Sequence, residues 1–301
     1  MTKKMEERRS LHFPRLKLIL MFLVLWFILL GIAMMISSYF GYDSYSWVFL
    51  AIISIFVIIL NLITYFFSGK MVLKAYKAKF VTEREEPRLV RTVQRVATMA
   101  ELPMPKVAIV PTETPNAFAT GRNPNNAVVA ATKGLLNTLN DDELEGVIAH
   151  EMAHIKDRDI LVMTIAASVA MIIAVAARII LFQMFFGRNR NVNPLLLIVA
   201  AITAPIAALL VQLAISRSRE YKADRVGAMT IYNPKAMARA LDKLEKGNKK
   251  RPFRKGSPAT SSLFIVNPFT RSTFTSIFST HPPMKERIRR LEGMAEEMGQ
   301  Y

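Results

Sequence analysis

Residues 147–159 read VIAHEMAHIKDRD. The chain has only four histidines, and two of them, His150 and His154, stand four residues apart here with Glu151 beside the first. The preceding stretch, LLNTLNDDELEG (135–146), carries a helix start. Asn140 with Glu143 three residues on is a capping-box pattern, and Asp141 and Asp142 suit the positive end of a helix dipole. The spacing predicts a helix that runs to about Lys156. Positions i and i+4 share a helix face, so both imidazoles can point at one ion. Glu151 lies about 100° further round the axis, poorly placed to ligate that ion but able to reach a water on it.

That is the H-E-x-x-H arrangement: two nitrogen ligands and a carboxylate able to deprotonate a zinc-bound water. Zinc lowers the pKa of such a water to about 7, and the carboxylate can take its proton and later pass it to a leaving amine. The other reading is an exposed helix face with two incidental histidines. The neighbours Val147, Ile148, Ala149, Met152, Ala153 and Ile155 are apolar, so the helix is expected to be buried, and buried imidazoles need partners. A catalytic zinc needs a third protein ligand and an open position. No third histidine is near. Glu220 and Asp224, in SREYKAD, again share one helical face. Glu220 could ligate, and Asp224 could accept the free N–H of a ligand histidine. Spacing alone leaves open a surface ion pair of Glu220 with Arg217, Arg219 or Lys222.

Hydrophobicity sets where this helix sits. Of 301 residues, 52% are hydrophobic and the mean hydropathy is +0.26, too apolar for an ordinary soluble domain. Leu18–Tyr39 and Trp47–Phe67 are uncharged, and each exceeds the about 20 residues that cross a bilayer core. Ile160–Phe186, broken by Arg178 and Gln183, and Leu195–Ser216, containing Pro205 and Gln212, are two further apolar blocks. Each block is read as a membrane helix, with a buried helix of the folded domain as the alternative. The first block follows a basic start but is too long for a signal-peptide core, and is read as a retained anchor.

The net charge is +17, and its placement orients the chain. Basic residues crowd the N-terminus, recur at Lys70, Lys74, Lys77 and Lys79, and again at Arg217, Arg219, Lys222 and Arg225. The positive-inside rule then places the N-terminus, the segment from about 69 to 159 and the tail from 217 in the cytoplasm; Arg188 and Arg190 weigh mildly against this. If both later blocks span, Glu220 returns to the side of His150 and His154. A buried hairpin would serve as well, but a single crossing would separate the ligands. Anionic lipid headgroups account for the charge. No nucleic-acid motif is present, and with no cysteine there is no thiolate site or disulfide framework.

Elsewhere the pattern predicts a helix over Glu83–Ala100, with Leu89, Val93, Val96 and Met99 on one face. Strands follow at Lys106–Val110, Ala117–Thr120 and Ala127–Thr132, the last two joined by the turn GRNPNN. Helices are expected over SRSREYKADRVGAMT, Pro234–Glu245 and Pro283–Met298. Gly247–Phe278 is ambiguous.

Four motifs, in order, carry a resemblance: PNAFATGRNPNNAVVAATKGLL (115–136), DDELEGVIAHEMAHIKDRD (141–159), SRSREYKAD (216–224) and STHPPMKERIRRL (279–291). Together they resemble the membrane-bound M48 zinc metalloproteases, in particular the HtpX-like proteases of bacteria and archaea, relatives of the Ste24 CAAX prenyl proteases. The resemblance implies one zinc ion held by His150, His154 and Glu220, with Glu151 as catalytic base and Asp224 as a partner of His150. It also implies an active-site edge strand beginning at Asn116 and Ala117, and His281 as a donor to the oxyanion. A helix N-terminal role before Pro282 is the other reading of His281.

The expected architecture is a mainly α integral membrane protein. About four transmembrane helices would carry a cytoplasmic α+β gluzincin-type domain with a small β-sheet. Residues 1–68 form a basic N-terminus and first hairpin, 69–159 the first part of the catalytic domain, 160–216 a second hairpin, and 217–301 the second part. The expected activity is zinc-dependent endopeptidase action on misfolded or damaged membrane proteins at the bacterial or archaeal plasma membrane. The partners are then the lipid bilayer and polypeptide substrates; the sequence carries no reading of oligomeric state. Two alternatives are a membrane scaffold with a structural zinc and a prenyl-protein protease.

Overall fold

The computed structural model describes residues 47–171, 217–253, 260, 263–267 and 282–300, with scattered helical positions between 16 and 34. Helix α1 (Trp47–Ala75) carries Ser54–Ala75, the one helix among the described residues long and apolar enough to cross a membrane. The expected second block therefore runs eight residues past Phe67. Up to that point most of its large side chains are exposed, Ile55, Phe56, Ile59, Leu62, Phe66 and Phe67 among them. Beyond it Ser68, Val72, Leu73 and Tyr76 are buried. Of the first block only scattered helical positions are described. The start of the third forms a helix, α5 (Asp159–Met171), whose Ile160, Val162, Ile165, Ala166 and Val169 are buried within the protein. Residues 172–216, the rest of that block and the whole fourth, lie outside the described residues.

After β1 (Lys79–Phe80), helix α2 (Pro87–Met99) begins at a proline, whose missing N–H costs nothing in a first turn. The expected start at Glu83 is instead a turn in which Glu85 accepts from the Thr82 N–H and hydroxyl, both at 2.8 Å. Leu89, Val93 and Val96 are buried as expected. Met99 is 40% exposed, because Ala100, four residues after Val96, continues the stripe instead.

Strands β2 (Lys106–Val110), β3 (Ala117–Gly121) and β4 (Ala127–Thr132) complete a sheet of order β1-β2-β4-β3. β2 runs parallel to β4, and β3 returns antiparallel to it, which leaves β3 at an edge. Both faces are covered. Val107, Ile109, Ala119, Val129 and Ala131 face one core, while Ala108, Val110, Phe118 and Ala130 face another with Val72, Ile165 and Phe264. This is the two-residue alternation of a strand with helices on both sides. The Thr132 N–H donates to the Asn116 carbonyl at 3.0 Å. Antiparallel alternation then turns Asn116, Phe118 and Thr120 towards β4, and the N–H and C=O of Ala117, Ala119 and Gly121 towards the open edge.

Thr132 ends β4 and caps α3 (Lys133–Thr138) by accepting from Leu135 N–H at 3.1 Å. Helix α4 (Asp141–Lys156) has the expected capping box, with both Asn140–Glu143 bonds at 2.9 Å. It stops where Arg158 takes a left-handed φ of 59°, just before α5 begins at Asp159. Helices α6 (Arg217–Ile231) and α7 (Pro234–Lys250) pack on α4, and α8 (Met284–Glu297) packs on α7 and α6. α7 runs five residues past the expected end at Glu245. The ambiguous segment 247–278 contributes its own core residues, Leu263, Phe264, Ile265 and Val266.

α6 approaches α4 closely at Gly227, where a Cβ would stand 2.9 Å from both the Ala149 carbonyl carbon and the His150 nitrogen. Both are backbone atoms of a buried helix and cannot swing aside. Gly227→Ala is expected to destabilise the protein by about 1–3 kcal/mol, the usual cost of overpacking, read as a lowered denaturation midpoint; an unchanged midpoint would mean the helices are not in this contact.

Candidate metal centre

The interior of α4 is apolar enough to be buried on nearly every side, so its polar residues must find partners within the protein. His150 and His154 sit one turn apart, their rings perpendicular with centroids 4.8 Å apart. Both face the first turn of α6, where Glu220 is buried. The His154 Nε2 is 3.4 Å from Glu220 Oε1, and the His150 Nε2 is 3.8 Å from Oε2. One ligand atom from each of the three residues lies within 4.8 Å of the others. The carboxylate left open between ligand and surface ion pair thus meets the two histidines.

A second layer orients this trio. His150 Nδ1 lies 2.9 Å from Asp224 Oδ1. An imidazole that donates from Nδ1 turns the lone pair of Nε2 inward. Asp224 is gripped in turn by Arg287, whose Nη2 and Nε donate to its two oxygens at 2.6 and 2.7 Å. The remaining Arg287 Nη1 donates to the Ile265 carbonyl at 3.1 Å and stands 3.4 Å from Glu220 Oε2. Arg287 is fully buried. On the other flank His154 Nδ1 is 3.7 Å from Asp159 Oδ2, a distance of charge attraction rather than hydrogen bonding. Arg219 holds Asp159 at 2.7 Å.

Arg287 and Asp159 are absent from the sequence reading. The signal for Arg287 was present: it lies four residues before the buried Leu291 and eight before the buried Ala295, a cation on the apolar stripe of α8. Asp159, in the DRD that follows the second histidine, has no such mark, because its position depends on the left-handed turn at Arg158.

Glu151 points from α4 towards the open edge of β3. Burial raises its pKa to about 7, against the opposing pull of His154; the Ala119 backbone N–H also favours the charged form. Ala117 and Asn116 are both fully buried. The Ala117 N–H donates to the Asn116 Oδ1 at 3.1 Å, and the Asn116 Nδ2 donates to the Val266 carbonyl at 2.7 Å. The Asn116 side chain therefore anchors the start of β3 within the protein. Position 281 lies outside the described residues; Pro282, next to it, is buried ahead of α8.

The donor set fits a divalent ion. Two imidazole nitrogens and a carboxylate suit a first-row dication such as zinc. Charge argues the same way. Four buried carboxylates, Glu151, Asp159, Glu220 and Asp224, face two guanidiniums, Arg219 and Arg287, and buried charge is costly unless compensated. In the metal-free chain His154 supplies part of the missing positive charge. Burial pulls its pKa down, but Asp159, Glu220 and Glu151 outweigh that and raise it to about 10. His150 goes the other way: burial lowers it, and Asp224 only partly offsets the loss.

A ligand imidazole must be neutral. At pH 8 His154 still holds the proton that an ordinary histidine, with pKa about 6.5, has already lost. Metal binding at that pH is therefore expected to release about one proton, measured by calorimetry in two buffers of different ionisation heat. Affinity should rise with pH up to about 10; release near zero would contradict the assignment.

The chain matches the family model for Peptidase family M48 over residues 83–295. It is 51% identical to a Protease HtpX homolog of Thermococcus sibiricus over 251 residues, 81% of this chain and 86% of that protein. A Protease HtpX homolog of Thermococcus kodakarensis is 50% identical over 283 residues, 92% of this chain and 96% of that protein. The crystal structure of S. mikatae Ste24p is similar at a TM-score of 0.48 and 19% identity. That match covers 89% of this chain and 62% of the other, and is too loose to place residues.

Proposed function

The chain belongs to peptidase family M48, and from that footing we propose that it is a membrane-bound, zinc-dependent endopeptidase acting on misfolded or damaged membrane proteins. The observation that carries the reading is the meeting of His150, His154 and Glu220 beside a carboxyl, Glu151, that faces an open strand edge. A scaffold with a structural zinc would need a closed set of four ligands; among the described residues there are three and a base.

His150, His154 and Glu220 would hold the zinc. The bound ion would supply Lewis acidity, lowering the pKa of water and polarising a peptide carbonyl. Everything else falls to the chain. Asp224 and Arg287 keep the His150 Nε2 turned inward. Glu151, buried beside that position, takes a proton from the attacking water and returns it to the leaving amine. The outward C=O groups of Ala117 and Ala119 accept from an extended substrate laid along this edge as an added strand, with Asn116 fixing the start of that edge. The His281 side chain, just before α8, donates to the oxyanion that develops on the substrate.

The same reading gives about four membrane helices, with 160–216 a hairpin inserted between the catalytic segments 69–159 and 217–301. By the positive-inside rule both termini and the site face the cytoplasm of a bacterial or archaeal plasma membrane. α1 supports this: its exposed apolar length ends in Lys70 and Lys74.

Glu151→Gln is expected to bind one zinc per chain, as the parent does, and to lose cleavage of an unfolded model membrane protein by about 10²–10⁴-fold. Retained cleavage would reject Glu151 as the base. Retained cleavage after stripping the metal with a chelator would reject the metalloenzyme reading altogether.

A further inference from the structure

Where α1 leaves its exposed apolar stretch, it lies against the end of β3. A Cβ placed on Gly69 would touch Thr120 Oγ1 at 3.5 Å. Beside this contact a groove of about 510 Å³ opens between α1, the start of β2 and the β3–β4 turn. Three cations line it, each from a different element: Lys70 from α1, Lys106 from β2 and Arg122 from the turn. Among the described residues no acidic side chain lines it. None of the three makes an ion pair among the described residues; each instead rests near an aromatic ring. Lys70 lies 5.5 Å from the Phe67 ring centre, Lys106 5.9 Å from Phe80, and Arg122 5.5 Å from Phe66.

Those rings are themselves out of place for a soluble surface. Phe66 is 53% exposed and Phe80 58%, and Met104, also on the groove, is 45% exposed. Phe80 and Met104 are not on α1 at all, so the apolar surface of the helix continues onto the folded domain. Exposed apolar groups beside unpaired cations, where a spanning helix emerges, match a lipid: acyl chain against the rings, phosphate against the cations. A free anion would use the cations and leave the apolar wall uncovered. An acidic polypeptide would have no use for the continuity with α1.

We propose that this groove is a binding site for an anionic glycerophospholipid, with Lys70, Lys106 and Arg122 on the headgroup phosphate and Phe66, Phe80 and Met104 against its chains. The inference rests on the reading that α1 crosses a bilayer. Thr120 and Gly121 form part of the same groove, so the lipid would pin the far end of the edge strand β3 to the membrane surface.

The test uses the full-length protein, delipidated in detergent and offered equimolar phosphatidylglycerol and phosphatidylcholine, with retained lipid read by native mass spectrometry. The parent is expected to prefer phosphatidylglycerol by an order of magnitude or more, from about three cation contacts. The triple variant Lys70→Ala/Lys106→Ala/Arg122→Ala should lose that preference. A variant with the same charge loss elsewhere, Lys133→Ala/Lys235→Ala/Lys285→Ala, should keep it. Equal loss in both variants would overturn the proposal in favour of diffuse attraction, and so would no preference in the parent. Stabilisation against heat by inorganic phosphate equal to that by phosphatidylglycerol would overturn it in favour of a free-anion site. Extraction of the parent chain from membranes by alkaline carbonate would defeat the spanning reading instead; a retained chain with no lipid preference defeats the groove alone.

Discussion

The Asp224–Arg287 ion pair is the constraint on which the centre depends. Removing four buried carboxylates from water is unfavourable, and a guanidinium fork with both arms on one of them is the arrangement that best offsets the loss. The fork fixes Asp224, Asp224 fixes the His150 ring, and the ring presents its inner nitrogen to Glu220. The third arm reaches Ile265, which ties α8 and the 263–267 segment to the same point. Four stretches of the chain are thereby held around one small polar volume.

Backbone approach makes this possible. Glu220 and Asp224 reach α4 because Gly227 offers no side chain at the helix crossing. β3 can lie beside Glu151 because it is the sheet's edge, and the buried Asn116 side chain secures its first residue. The pKa values express the same geometry. Burial raises Glu151 to about 7 and three carboxylates raise His154 to about 10.

Much of this was legible in the residues themselves. The capping box at Asn140, the four-residue spacing of the histidines and the Glu220–Asp224 pair depend on local helix geometry, which sequence spacing reports directly. The strands around GRNPNN were legible for the same reason. Long-range partners were not. Glu220 could be read as a ligand or as a surface ion pair until α6 was placed on α4. Arg287 sits among Arg289 and Arg290, which pair with Glu286 in solvent, and only its place on the stripe of Leu291 sets it apart. Helix ends erred where turns competed with periodicity: at Pro87, and at Met99, which is displaced by Ala100.

The central claim is that one dication is held by His150, His154 and Glu220. X-ray absorption at the zinc edge, on the loaded full-length protein and on Glu220→Ala, tests it most directly. The expected parent spectrum has two imidazoles at about 2.0–2.1 Å and further oxygen at about 2.0–2.2 Å, and the variant keeps the imidazoles, if it holds zinc at all, but loses the carboxylate. An identical shell in both proteins, or one without two imidazoles in the parent, would contradict it.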